Sequence, residues 1–318
     1  CDSSARPIAT RCASPPDSES GRRSRKASWP SNARTRSRLA SSPASPLTMA
    51  VISAVLGIRV DDSGLMREWS TAALDYLGAL IRNVPNSTAT DTAYRNMLDL
   101  MTETMDAAGS EDADKVINNL ARLRDEGSLG REEAAGFAAL LFIAGHETTT
   151  ILTGNCLDFL AQHPQYIAEI AERGSAVEFL NELIRYRPSV HRLTRYLHKD
   201  AEIAGYALPA GASVRFLVAS ANRDETRFPD AERFDPSRSN GAHAGFGYGI
   251  HMCIGSWLAK MEVRAILERI AVTTRSMEQS DRWPRIPMTG GAFATAGLVS
   301  LGLAVTPLDQ ARERLSAA

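Results

Sequence analysis

The chain has 318 residues, 44% of them hydrophobic, with 36 basic and 37 acidic side chains and a formal net charge of −1. That is long enough for one domain with a sizeable core. Its four cysteines, Cys1, Cys12, Cys156 and Cys253, show no disulfide framework, and there is no secretory signal or run of eighteen apolar residues, which excludes a disulfide-stapled secreted scaffold and a membrane-spanning chain and points to a reducing cytoplasm.

The overall charge conceals a split. Residues 1–46 hold nine Arg or Lys against Asp2, Asp17 and Glu19, with twelve Ser and six Pro, and only Ile8, Trp29 and Leu39 are large and apolar. Such a stretch cannot build a core, so 1–46 reads as a disordered basic segment. It lacks the aromatic interleaving, motif or amphipathic helix of a nucleic-acid or membrane binder, so no nucleic acid and no membrane are expected as partners. The abrupt change of composition just before Met49 reads as a non-native, frameshifted or misassigned 5′ region.

From Leu47 the pattern becomes helical. Leu47–Gly57, Arg67–Arg82 and Thr90–Ala108 read as consecutive helices, the last two separated by Val84-Pro85-Asn86, and Lys115–Arg124 reads as another, closed by Asp125-Glu-Gly127. Leu129-Gly-Arg-Glu-Glu133 opens a long helix with acids in its first turn. Its apolar run, Phe137 to Leu160, contains Ala144-Gly145-His146-Glu147-Thr148-Thr149. Ala144 and Gly145 leave a shallow place on the helix, and Glu147 beside Thr148 sets an acid next to an alcohol, a pair able to relay protons. Thr148 to Thr150 are poor helix formers, so their place mid-helix needs a packing or chemical reason. Taken alone, a core helix with a polar face accounts for the block equally well.

Further on, Glu182 and Arg185 stand three apart among Phe179, Leu180, Leu183 and Ile184. On spacing alone this is a surface pair; the apolar setting predicts partial burial, where both charges must find partners. Thr194-Arg195-Tyr196 and the alternating stretch Ala201–Gly211 read as short strands. Asn222 to Arg238, which includes Arg233, is Pro- and Asp-rich irregular chain, and Ile286 to Val305 reads as short β-like runs between glycines.

The most informative segment is Phe246-Gly-Tyr-Gly-Ile-His-Met-Cys-Ile-Gly255. Gly247, Gly249 and Gly255 permit backbone conformations and close approaches that let a flat group lie against the loop. Ala259, Val263, Ile266 and Ile270 then mark one face of an amphipathic helix, so Cys253 lies near a helix N-terminus, where exposed amides and the dipole favour a thiolate. A buried structural cysteine is the plain alternative. No second Cys or His stands at zinc-site spacing; a lone thiolate suits an iron whose other positions a porphyrin fills.

This loop resembles the haem-binding signature of the cytochrome P450 family, Phe-Gly-x-Gly-x-His/Arg-x-Cys-x-Gly, at every defining position, and the other three blocks occur in the family's order. The resemblance implies a mainly α fold with small β-sheets, residues 47–318 forming the C-terminal two-thirds of the domain. The N-terminal third, with a β-rich region, a substrate loop and one propionate-gripping helix, is missing. It implies haem b with the Cys253 thiolate as axial ligand, Phe246, Gly247, Gly249 and Gly255 cradling it, and Arg195 and His251 on its propionates. Ala144 and Gly145 would admit dioxygen and substrate, Thr148 would order water beside bound oxygen, and Glu147 would feed protons inward. Glu182, Arg185 and Arg233 would form a structural cluster locking the segment before the cysteine loop. The implied activity is that of a soluble bacterial monooxygenase inserting one atom of O2 into a small apolar organic substrate. Electrons would come from a ferredoxin or flavodoxin-type donor with an NAD(P)H-dependent reductase. An inactive truncated fragment and a haem-binding sensor or carrier are the alternatives.

Overall fold

The computed structural model describes residues 41–59, 63–82, 85, 87–108, 114–238, 243–280, 286–287, 295 and 297–309, all within the unit Ala33–Ala318. The expectation of a disordered tail over residues 1–40, and residues 84 and 86 of the expected connection, lie outside them.

Seven helices come first: α1 (Ser41–Leu56), α2 (Ser63–Arg82), α3 (Thr88–Asp106), α4 (Val116–Asp125), α5 (Arg131–Gln162), α6 (Gln165–Arg173) and α7 (Ala176–Tyr186). Four short strands follow, β1 (Leu193–Tyr196), β2 (Ala201–Ile203), β3 (Tyr206–Leu208) and β4 (Ser213–Phe216), then the single turn α8 (Val218–Ala221) and the long α9 (Ser256–Thr273). The chain closes with β5 (Thr274–Gln279), β6 (Ile286–Pro287), β7 (Leu298–Ser300) and β8 (Leu303–Pro307). Among the described residues the strands form four antiparallel pairs: β1 with β4, β2 with β3, β5 with β8 and β6 with β7. The mainly helical fold with small sheets is thus as expected.

The tail boundary is not. The chain is already helical at Ser41, so the boundary expected after residue 46 falls inside α1, with Pro46 within the helix. Ala44 and Ser45 are buried. Small residues with no wide apolar stripe gave no periodic signal; contact with α5, which receives them, supplies what the local pattern lacks.

Two apolar clusters share α5 between them. Its first half joins Met49, Ile52 and Leu56 of α1, Met97, Met101 and Met105 of α3 and Ile117 and Leu120 of α4. Its second half joins Ile167 and Ile170 of α6, Phe179, Leu180 and Leu183 of α7, Val263 and Leu267 of α9 and Leu303 of β8. With both halves covered, α5 is long and apolar enough to cross a membrane by composition, yet half of its most apolar stretch is buried inside the fold, as in the core helix of a globular protein.

The chain between α8 and α9 holds its shape through α7. Arg185 is fully buried and makes a bidentate pair with Glu182, Nε to Oε2 at 2.8 Å and an Nη to Oε1 at 2.7 Å. Its remaining N–H groups donate to the carbonyls of Asn222 (2.8 Å), Ala231 (2.9 Å) and Arg233 (3.2 Å). Glu182 Oε1 also accepts from the Asp235 amide at 2.9 Å and lies 3.4 Å from Arg238 Nε. Every charge in this buried knot has a partner, as burial demands. The expected third member is corrected. Arg233 contributes its backbone carbonyl, while its side chain turns outward to Asp235 at 2.7 Å; the second guanidinium facing Glu182 is that of Arg238, which is nearly buried.

Candidate active site

The cysteine loop is built from turns. Ala244–Phe246 and Gly249–His251 each form a short 3-10 turn, and the Cys253 amide donates to the Phe246 carbonyl at 2.8 Å, closing the loop on itself. Gly247 sits at φ +75°, a conformation that strains any side chain, and a Cβ there would also crowd the His251 carbonyl oxygen at 3.1 Å. That position requires glycine. Gly249 also has positive φ, with open space where a side chain would go. The closed loop leaves the Cys253 thiol exposed, ahead of the first turn of α9.

Facing it across a cavity of about 350 Å³ is the middle of α5. Ala144, Gly145 and Thr148 line the cavity together with Arg195, Phe246, Gly247, His251, Cys253 and Gly255. Residues more than a hundred positions apart in the chain thus meet at one void. Glu147 and Gly249 are not among its lining residues. Thr148 Oγ1 donates to the Ala144 carbonyl at 2.8 Å, and the Thr148 carbonyl accepts from Ser189 Oγ at 2.9 Å. The threonine run has its packing reasons too, since Thr150 Oγ1 lies 2.8 Å from Thr48 Oγ1 of α1 and Thr153 Oγ1 donates back to the Thr149 carbonyl.

Gly145 has a second role beside the shallow place expected of it. A Cβ there would lie 2.7 Å from Ile52 Cδ1, so the missing side chain also lets α1 pack directly on α5. One residue on, His146 is buried between helices, its Nε2 3.1 Å from Ser45 Oγ of α1 and its Nδ1 3.4 Å from Ser70 Oγ of α2. Burial, and then the charge of Arg67, push its pKa down to about 4, so the ring is neutral near pH 7.

Glu147 is off the cavity lining and feels the charge of Asp75 on α2. Burial raises its pKa to about 7, and the charge of Asp75 adds to the rise. It therefore exchanges a proton near neutrality while lying next in the chain to Thr148, whose side chain does line the cavity.

Sequence reasoning missed several residues of the site. Ile52, Thr149, Ile184, Ser189, Val190 and Glu262 also line the cavity. Only Thr149 and Ile184 lay within blocks already singled out; Glu262 stands one turn beyond Ala259 on the amphipathic face of α9, which is the signal it offered.

The donor set can be tested against the expected haem. Among the described residues no three His, Cys, Asp or Glu side chains gather to hold a metal ion, and Cys253 is the thiol on the cavity. The walls are mostly apolar, Gly245, Gly247 and Gly255 add no side chain to them, and Arg195 and His251 bring nitrogen donors suited to carboxylates. One thiol, apolar walls and two such donors fit an iron porphyrin with propionates.

Comparison with known proteins agrees. Residues 176–286 match the family model for cytochrome P450. The chain is 35% identical over 233 residues to erythromycin C-12 hydroxylase of Saccharopolyspora erythraea, covering 71% of this chain and 58% of that one. It is 35% identical over 243 residues to the cytochrome P450 monooxygenase PikC of Streptomyces venezuelae, covering 74% and 56%. The structure of a mutant of P450 EryK in complex with erythromycin B superposes with a TM-score of 0.73 at 29% identity, covering 84% of this chain and 69% of that one. The chain thus spans less than two thirds of the length of the curated relatives it matches.

Proposed function

Since the chain belongs to the cytochrome P450 family, we propose that it is a haem-thiolate monooxygenase that inserts one oxygen atom from O2 into a small apolar organic substrate. The overall reaction joins substrate RH, O2, two electrons and two protons to give ROH and water. The observation that carries the reading is the meeting of Cys253 and Thr148 on one largely apolar cavity.

Haem b bound there would supply the redox chemistry that activates dioxygen. Cys253 would ligate its iron as thiolate and push electron density toward it. Gly247 and its neighbours allow the loop backbone to lie against a flat group, and Arg195 and His251 would hold the carboxylates. Ala144 and Gly145 present little bulk at the face of α5. Thr148 Oγ1, anchored on the Ala144 carbonyl, would hold a water in the cavity, and Glu147 Oε would deliver protons to it from outside the lining. A carboxyl that gains and loses its proton near pH 7 suits that task. The apolar walls favour an apolar substrate.

Electrons would come from a separate ferredoxin or flavodoxin-type donor with its NAD(P)H-dependent reductase, in the cytoplasm, where Cys156 and Cys253 stay reduced. The test is the spectrum of the haem-loaded, reduced protein under carbon monoxide. A red-shifted Soret band marks thiolate ligation, and its absence in a haem-loaded sample would refute the proposal.

A further inference from the structure

Glu262 belongs to no part of the chemistry above. It lies on α9, 9 positions after Cys253, and lines the cavity next to Leu258 and Ala259. Its Oε2 is buried with no hydrogen-bond partner. A carboxylate in that position would forfeit hydration without gaining a donor, which is costly; a neutral acid loses far less. The buried carboxylate of Glu182, by contrast, has Arg185, Arg238 and a backbone amide.

The charged and titratable groups on the same cavity are Arg195, His251 and Cys253; α5 and α7 contribute Leu141, Thr148, Thr149, Leu152 and Ile184, all uncharged. On α9 itself the Lys260 ammonium is taken up over the Phe246 ring, 5.5 Å from its centroid. Burial by itself accounts for the behaviour of Glu262, with no charged partner contributing, and it holds the carboxyl up at about 7. The group is therefore poised near neutrality while its cavity still admits water.

We infer that Glu262 links occupancy of the cavity to uptake of a proton. A large apolar group entering the cavity displaces water from the lining. That removes the remaining hydration of an ionised Glu262 and favours its neutral form further. By linkage the converse holds: ionising Glu262 at higher pH weakens whatever fills the cavity. The sign is fixed. Below about pH 7 the acid is already neutral and occupancy costs nothing on its account; above that, one proton must be bound for each cavity filled, and affinity falls. Glu262 thereby limits loading on the alkaline side.

The inference rests on the haem-thiolate reading for the identity of the occupant. It is tested by titrating the full chain with haem from pH 6 to pH 9, comparing the native protein with Glu262→Gln, which keeps the shape of a neutral carboxyl. The ratio of the two affinities isolates the contribution of Glu262. It is expected to be flat below about pH 7 and to shift against the native protein by up to about tenfold per pH unit above it. Calorimetry at pH 8 in two buffers of different ionisation enthalpy should show one more proton taken up by the native protein than by the variant. Should the variant fail to fold, infrared difference spectra of the native protein on adding haem at pH 8 serve instead, with growth of a neutral-carboxyl band expected. Equal pH slopes, or no growth of that band, would overturn the inference. Haem that binds without a thiolate spectrum would instead refute the haem-thiolate reading.

Discussion

Ser45 Oγ of α1 lies 3.1 Å from Nε2 of His146 on α5, and both residues are buried. A residue expected in the unstructured tail therefore bonds to the side chain that immediately precedes the proposed proton-handling pair. Ser45→Ala leaves a ring nitrogen unpaired in a buried place and should cost about 1 to 3 kcal/mol in denaturant unfolding. Removing residues 1–46 should destabilise the protein by at least as much as Ser45→Ala, because it takes the same bond and the first turn of α1; removing residues 1–40 spares both. Equal midpoints for the two truncations would contradict this.

The same histidine predicts acid sensitivity. Its folded-state pKa is depressed to about 4 from 6.5, so the unfolded chain binds the extra proton between those values. The stability it contributes is present above about pH 6.5 and lost as pH falls toward 4. Replacing His146 with Gln, which stays neutral, should flatten the stability profile over that window in urea melts.

Cys253→Ser should abolish the red-shifted carbon monoxide band of the reduced protein, because among the described residues no other cysteine lines the cavity. Survival of the band in the variant would remove Cys253 from its proposed role.

Thr148→Ala should leave the haem spectrum unchanged while diverting electrons from product to peroxide, measured as product formed per NAD(P)H consumed. The coupling efficiency of the native protein should change near pH 7, with Glu147, and Glu147→Gln should erase that change. Asp75→Asn removes the neighbouring charge that helps to raise Glu147, so it should move the inflection to lower pH. An inflection unmoved by Asp75→Asn would separate α2 from the acidity of Glu147.

The buried knot around Glu182 offers a graded test. Arg185→Ala strands a buried carboxylate and several carbonyls and should cost about 3 to 5 kcal/mol, seen first as poor haem retention. Arg238→Ala should be milder, since Glu182 keeps Arg185. Arg233→Ala should leave the melting temperature near that of the native protein, because its side chain is exposed and pairs with Asp235 at the surface. A loss at Arg233 matching that at Arg185 would reverse the correction made above.

The local chemistry of this protein was legible in its sequence. Period and breakers marked α2 to α5 to within a few residues, because amphipathic spacing and glycine, proline and capping residues act over one or two turns. The cysteine loop was legible for the same reason: a glycine required at φ +75°, such as Gly247, leaves its mark in the residue type itself. What the sequence left open was decided by contacts between distant segments. The helix begins at Ser41, where Ala44 and Ser45 are buried, Glu182 was given Arg238 rather than Arg233 by the path of the chain between them, and Glu262 came to line the cavity through the packing of α9. Burial, and with it the acidity of Glu147, His146 and Glu262, arises only when separate elements close over a group, so spacing along one helix carries no record of it.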